Sequence, residues 1–428
     1  MSDFMYVEIL RVKDFAGIND AEIHLSRFNV FIGPQASGKS VCAKLLFFFK
    51  ESIKRLSLGV AEEQTKPQLC KEDRELFLSY FPPKSWGENA FYIKYECGSF
   101  FIEVSRREPS KDKIDISYSD QYHALIQAAR RFLKKGRHDE DFFGQYGVLS
   151  SVRKKAAADI NQILANSNFF IPAGRSFFST IQSNVFSFLA NNLRIDPFLA
   201  EFGRLWERYR HIYAHRNYYI GARKGSTPRV VSKELTARVN KIICGSYEII
   251  KGEDFIHTND GRIVPLNASS SGQQEALPLA ITLAGIPVTP DAEHTTFIVE
   301  EPEAHLYPSA QREIVHLFAA ATDLTSVESC TQYILTTHSP YILSAINNLM
   351  YGSNIVSRYP KKAKAVAKVL NHGILIDPTQ VRAYLFSDSS IRSIMDSEAG
   401  LIDARVLDRV SGDIAREFEE LMEIDPEL

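Results

Sequence analysis

Hydrophobic and polar positions change their period twice along this chain. Residues 6–12 and 21–25 alternate, whereas Phe28-Asn29-Val30-Phe31-Ile32 is almost unbroken. Alternation suits a strand with one wet face, and a continuous apolar run suits a strand covered on both faces. After a glycine-containing loop at 33–40, residues 40–58 space their apolar side chains as a helix. Residues 90–97, 100–105 and 114–118 read as short antiparallel strands. The period then becomes helical: 120–135, 151–165, 176–193, 197–216 and 232–250 all predict helices. Within that stretch Phe169-Phe170-Ile171-Pro172-Ala173 predicts one strand returning to the sheet. From Asp254 onward strand and helix alternate again, with strands at 296–299 and 333–336 around a helix at 309–321. Residues 381–422 predict two or three short strands and a final helix. The pattern is an α/β core (1–118 and 254–428) carrying a mostly helical insertion or lid (119–253).

Composition narrows the class. The 50 Lys+Arg and 52 Asp+Glu leave a net charge of −2, which does not favour coating of nucleic acid through bulk positive charge and leaves a local patch open. No run approaches the roughly 18 apolar residues of a membrane span. The N-terminus MSDFMYVEIL lacks the basic-then-apolar layout of a signal peptide. Cys42, Cys70, Cys97, Cys244 and Cys330 are scattered and form no C-x-x-C pair, so reduced thiols and a cytoplasmic location are expected.

Candidate chemistry begins with Gly33-Pro34-Gln35-Ala36-Ser37-Gly38-Lys39-Ser40, a complete G-x-x-x-x-G-K-S between a buried strand and an amphipathic helix. Small residues let backbone N–H groups curl around phosphate, and the next helix presents its positive end. Lys39 would neutralise the β- and γ-phosphates of ATP, and Ser40 would hold Mg²⁺. A second signal, Thr296-Phe297-Ile298-Val299-Glu300-Glu301-Pro302-Glu303, delivers two carboxylates to a sheet edge. One would position Mg²⁺ and the next would polarise the attacking water. Third, Ser269-Ser270-Ser271-Gly272-Gln273-Gln274-Glu275 precedes an apolar helix, as a second anion site or as an N-cap with Glu275 completing a capping box. Fourth, His338 follows the strand at 333–336.

In order and spacing these four segments resemble the ABC-type ATPases. The likeness is to the soluble, AAA-15-like branch related to the overcoming-lysogenization-defect proteins of bacterial defence. It covers residues 1–60 and 254–345, and more loosely Phe169 to Arg175. The resemblance implies Lys39 and Ser40 as Walker A, Glu300 as the Mg²⁺ acid, Glu301 as catalytic base and His338 as the γ-phosphate switch. Ser270 and Gly272 match the signature motif, which in that family completes the ATP site of the opposite subunit. Here the signature reads Ser-Ser-Ser-Gly-Gln instead of Leu-Ser-Gly-Gly-Gln, and Glu300 stands where most relatives carry Asp. The Q-loop glutamine has no clear counterpart, Gln182 being the nearest.

One Walker A and one signature per chain imply a head-to-tail dimer around two ATP. Three uses then compete. The span from Ser40 to Ser270 is too long for a transporter motor. An SMC-like DNA-repair ATPase acting on nucleic acid needs a long heptad-patterned arm, which Pro197 and Pro228 interrupt. The third use is a sensor or scaffold controlling a separate toxin or nuclease effector, as in two-gene anti-phage systems of the PARIS or Septu type, with a phage protein as trigger. The stretch after His338 is too short for a nuclease domain of its own. Of two weaker features, one is Arg210 with His215, whose spacing resembles that of HEPN ribonucleases, or His211 with His215, spaced for zinc. The other is the basic run 130–138, either a solvated helix end or a dock for an acidic partner.

Overall fold

The computed structural model describes residues 8–108, 113–136, 144–181, 195–214, 228–285, 294–323, 331–370, 373–387, 390–396, 398–403 and 416. The first stretch supplies β1 (Glu8–Phe15), β2 (Ile18–Leu25), β3 (Phe28–Ile32), α1 (Lys39–Lys50), α2 (Ser52–Ala61) and α3 (Lys66–Tyr80). Then come β4 (Phe91–Cys97), β5 (Phe100–Arg106), β6 (Asp115–Tyr118), α4 (Asp120–Gly136), α5 (Gly144–Asp159), β7 (Ser167–Ile171) and α6 (Phe177–Ile181). The middle holds α7 (Pro197–Ala214), α8 (Pro228–Ile242), β8 (Gly245–Ile250), β9 (Glu253–Thr258), β10 (Ile263–Pro265) and α9 (Ser271–Gly285). The last part has β11 (Thr295–Glu300), α10 (Pro308–Asp323), β12 (Gln332–Thr337), α11 (Pro340–Arg358), α12 (Ala363–Leu370), β13 (Val381–Ser387), β14 (Ser390–Ser393), β15 (Met395–Asp396) and β16 (Leu401–Ile402).

Eleven strands form one mixed sheet in the order β6-β5-β4-β1-β2-β14-β13-β3-β12-β11-β7. Strands β13, β3, β12, β11 and β7 are parallel. The half from β6 to β2 is antiparallel. Helices cover both faces of the parallel half, so β3, β11 and β12 are buried at every position. In β3, Phe28, Val30 and Ile32 enter one core with α8 to α11, while Phe31 enters the other with α1 to α5. The same division separates Phe297 and Val299 from Ile298, and Tyr333 and Leu335 from Ile334. The unbroken runs in the sequence are thus a two-period pattern whose two faces are both buried.

Buried charge joins the two halves. Glu8 of β1 pairs with Lys50 at the end of α1 and accepts hydrogen bonds from Tyr95 Oη (2.7 Å) and Gln332 Nε2 (2.8 Å). Both charged groups are under 5% exposed. Replacing Lys50 with Met leaves a desolvated carboxylate without its cation, and is expected to lower stability by about 3–5 kcal/mol. Urea unfolding checks this, and adding Glu8→Gln to Lys50→Met is expected to recover part of the loss.

The structure corrects several boundaries. The helix expected over 40–58 is two helices, α1 and α2, meeting at Glu51. The helix expected over 232–250 ends at Ile242. Cys244 takes a left-handed conformation (φ 51°) and 245–250 becomes β8, paired with β9 in a separate three-stranded sheet. The helix read at 151–165 begins at Gly144, ends at Asp159 and is followed by a 3₁₀ turn over Gln162–Ala165. Of the tail, β13 lies in the middle of the main sheet beside β3, and the final helix expected near residue 422 lies outside the described residues. So do residues 182–194, including Gln182.

Candidate active site

Strand register assembles the site. Ile32 lies opposite Thr337, Glu300 opposite Thr336, and Leu385 opposite Ile32. The segments leaving β13, β3, β12 and β11 therefore emerge side by side at one sheet edge, spaced at the ~4.8 Å of neighbouring strands. This brings Gly33, His338 and Glu301 into one row.

The loop from Gly33 to Ser40 wraps the start of α1. Gly33 cannot carry a side chain, because a Cβ there would lie 2.1 Å from the Phe386 carbonyl oxygen of β13. Gly38 has φ 94° and a Cβ would meet Ile18 at 2.7 Å. Pro34, Gln35 and Ala36 are exposed, and Ser37 Oγ donates to Pro34 O at 2.8 Å. The Lys39 ammonium is buried and donates to Gly33 O (2.9 Å), Pro34 O (2.6 Å) and Ser37 Oγ (3.2 Å). Burial holds its pKa below the ordinary lysine value, and the nearby carboxylates of Glu301 and Glu303 oppose that shift. Neutral loop oxygens surround a buried cation, so an anionic ligand would complete its electrostatics.

Glu300 ends β11 almost fully buried, and burial raises its carboxyl above the ordinary range. Lys44, the Ser40 hydroxyl and the Ala173 N–H pull the other way. Its Oε2 accepts from Ala173 N at 3.4 Å, while Oε1 has no hydrogen-bond partner. Thr336 Oγ1 and Glu303 Oε2 are likewise buried and unpartnered. Orphaned oxygens beside a serine hydroxyl are a hard-cation donor set, so Ser40 and Glu300 fit Mg²⁺. Replacing Glu300 with Gln is expected to raise the melting temperature of the nucleotide-free protein at neutral pH by about 1–2 °C. A raised folded pKa stabilises below the ordinary value of 4.5 and is lost as pH rises through the folded value. The gap between variant and wild type should therefore close as pH falls toward 4.5. Thermal melts across that range check it, and a gap that widens on acidification contradicts it.

Glu301 takes a left-handed conformation, φ 42°, in a non-glycine residue. Such a conformation costs about 1–3 kcal/mol and persists only where surrounding bonds over-determine it. Its N–H donates to Thr336 O (2.9 Å), and its carbonyl accepts from Ala304 N (3.1 Å) and Arg175 Nη2 (2.9 Å). The carboxylate is partly exposed, with Oε1 3.6 Å from His338 Nε2. The turn carrying His338 is held by Glu303, whose Oε1 accepts from Thr337 Oγ1 (2.7 Å) and His338 N (2.6 Å). Ser339 then caps α11 through Tyr341 N.

Ser270 and Gly272 stand apart from this row. Ser270 caps α9, but its capping-box partner is Gln273 and not Glu275: Ser270 N donates to Gln273 Oε1 (3.1 Å) and Gln273 N to Ser270 Oγ (3.3 Å). A Cβ on Gly272 would lie 2.8 Å from His305 O. Gln273 Nε2 donates to Ile243 O (2.7 Å), and Gln274 Oε1 accepts from Ser179 Oγ (2.9 Å). Glu275 instead turns inward, accepting from Arg175 N (2.9 Å) and Ser176 N (3.0 Å).

Arg175 and Glu303 are the residues that pattern reading missed. Glu303 stood in a recognised motif without a role. Arg175 stood just past the strand read at 169–173, and a single arginine after a Pro-Ala-Gly turn offers no signal of burial. The weaker candidates resolve structurally. Arg210 pairs with Glu207 (2.8 Å) and with Asp254 (3.0 Å), which also accepts from Tyr247 Oη (2.5 Å), while His215 lies outside the described residues. Among the described residues no group of three or more His, Cys, Asp or Glu side chains could hold a metal ion. In the basic run, Arg130 is tied to Gln64 O (3.0 Å) and Arg131, Lys134 and Lys135 are exposed at the end of α4. Arg137 and His138 lie outside the described residues. Cys42, Cys70, Cys97 and Cys244 are free thiols. No described helix is long and apolar enough to cross a membrane.

Residues 5–192 match the family described as "AAA ATPase domain". Residues 140–344 match that described as "AAA domain, putative AbiEii toxin, Type IV TA system". The two matches together run from residue 5 to residue 344, and both describe ATPase domains of the AAA type. A stretch of 121 residues is 28% identical to chaperone protein ClpB of Helicobacter hepaticus, covering 27% of this chain and only 12% of the chaperone's length. Among solved structures, an Smc head bound to the C-winged helix domain of ScpA is similar at 12% identity and a TM-score of 0.45, over 92% of this chain and 99% of that one. The SMC head domain from Thermotoga maritima is similar at 11% identity and a TM-score of 0.37, over 91% and 98%.

Proposed function

We propose that the chain is a Mg²⁺-dependent ATP hydrolase that works as a head-to-tail dimer and serves as the sensor or scaffold of a cytoplasmic anti-phage complex controlling a separate toxin or nuclease. The observation that carries the catalytic part is the convergence of Lys39, Glu300, Glu301 and His338 at one sheet edge. Gly33 to Gly38 and Lys39 would bind the phosphates, and Ser40 with Glu300 would hold Mg²⁺, which would offset charge on the β- and γ-phosphates. Glu301 would accept the proton of the attacking water, with His338 beside it. Ser270, exposed, and Gly272, half-buried, would contribute to the ATP site of a second copy. Closure of that dimer on ATP would couple the nucleotide to the helical segment 119–253 and to a docked partner. The toxin–antitoxin description of the family matched by residues 140–344 supports the defence reading.

The test is co-purification of the tagged protein with the products of neighbouring genes, followed by native mass determination. A stoichiometric complex with a small nuclease-like or toxin-like protein supports the reading. A lone dimer whose ATP hydrolysis rises on addition of DNA favours an SMC-like repair ATPase instead.

A further inference from the structure

Arg175 is fully buried, and its guanidinium spends its hydrogen bonds on the backbone. Nε donates to Glu275 O (3.0 Å), Nη1 to Pro172 O (2.9 Å) and Glu300 O (2.7 Å), and Nη2 to Glu301 O (2.9 Å). Glu275 Oε2 completes an ion pair at 3.5 Å from Nε and also caps the Arg175 N–H. One planar group thus grips three elements: the turn after β7, the end of β11 and the first turns of α9.

The two carbonyls it holds there, of Glu300 at the end of β11 and of Glu301 just beyond it, belong to the peptides on either side of the Glu301 Cα. They fix the planes of the peptides on either side of that residue's left-handed backbone, and so the direction in which its carboxylate leaves the strand toward His338. The third element, α9, begins at Ser271 and carries Gly272 in its first turn. A shift of α9 must move Glu275 O and its carboxylate, and the rigid fork transmits that shift to Glu301. Lysine, a point charge without a fork, cannot hold all three.

Resting on the ATPase reading above, we infer that Arg175 is a positioning residue that couples the placement of helix α9 to the orientation of the Glu301 carboxylate. It acts through Glu301 and does not touch nucleotide. In the full-length protein, Arg175→Lys is expected to bind a fluorescent ATP derivative within about threefold of wild type and to lose about 10²-fold in kcat, as for a catalytic group displaced by about 1 Å. KM should be nearly unchanged. In a Glu301→Gln background, single-turnover hydrolysis should fall no further when Arg175→Lys is added, because the group being positioned is already gone.

Glu275→Gln keeps the shape of the cluster but removes the ion pair, and is expected to lower kcat about tenfold with the same split. It decides the matter if Arg175→Lys fails to fold. A wild-type kcat in the folded variant, equal losses in binding and kcat, or additive losses with Glu301→Gln would each overturn the inference. Wild-type protein that binds no ATP and hydrolyses none would overturn the ATPase reading itself, which is a separate result.

Discussion

Replacing Glu301 with Gln is expected to slow ATP hydrolysis by about 10²–10⁴-fold, the range of a lost general base, while ATP binding is retained. The amide matches the carboxylate in shape, so the left-handed backbone and its bonds to Thr336, Ala304 and Arg175 can persist. What disappears is a proton acceptor on a partly exposed side chain whose Oε1 is 3.6 Å from His338 Nε2. If hydrolysis is the step that releases the dimer, the variant accumulates as an ATP-loaded closed form, visible as a doubled mass by size-exclusion light scattering with Mg²⁺ and ATP. A variant that turns over ATP at the wild-type rate removes Glu301 from the chemistry.

Lys39→Ala is expected to abolish measurable ATP binding, with the affinity weakened by at least about a hundredfold. Charge-assisted hydrogen bonds contribute about 1.5–3 kcal/mol each, and the ammonium offers several. Folding should be little affected, because the buried ammonium is desolvated and satisfied by neutral oxygens of its own loop. The readout is thermal melting with and without 1 mM ATP, on the order of a thousandfold excess for a micromolar binder. Wild type should gain stability on addition of nucleotide and the variant should not. A variant that gains as much would show that the phosphates bind elsewhere.

The contrast between the two variants separates binding from chemistry. It also explains why the two residues differ so much in their surroundings. Lys39 is buried among oxygens of its own loop and is positioned by that loop alone. Glu301 depends on its own turn through Ala304 and on two other segments, β12 through Thr336 and Arg175, which lies far away in the chain.

That difference governs what was legible without coordinates. The phosphate loop, the two acids after Val299 and the histidine after the strand at 333–336 could all be read, because each is written as a local motif on a local element. The helix read over 232–250 went wrong at Cys244. There a turn and a pairing with β9 override a helical spacing, and nothing local announces the partner strand. The capping role assigned to Glu275 failed for a similar reason. Gln273 can make the same local bond, which leaves Glu275 free for a long-range partner.

By itself, then, the sequence determined the elements with a strong period, the glycine-containing loop at 33–40 and the order of the motifs. These depend on neighbours within one turn or one strand. Only the tertiary structure decided that β13, from the tail, lies beside β3 and presses Phe386 against Gly33. It alone showed Glu303 holding the His338 turn, and Arg175 joining α9 to the carbonyls of Glu300 and Glu301. Each of these is a contact between residues remote in the chain, made by side chains whose burial depends on the whole packed sheet. A one-dimensional pattern records which residues seek burial, but not which distant groups they meet there.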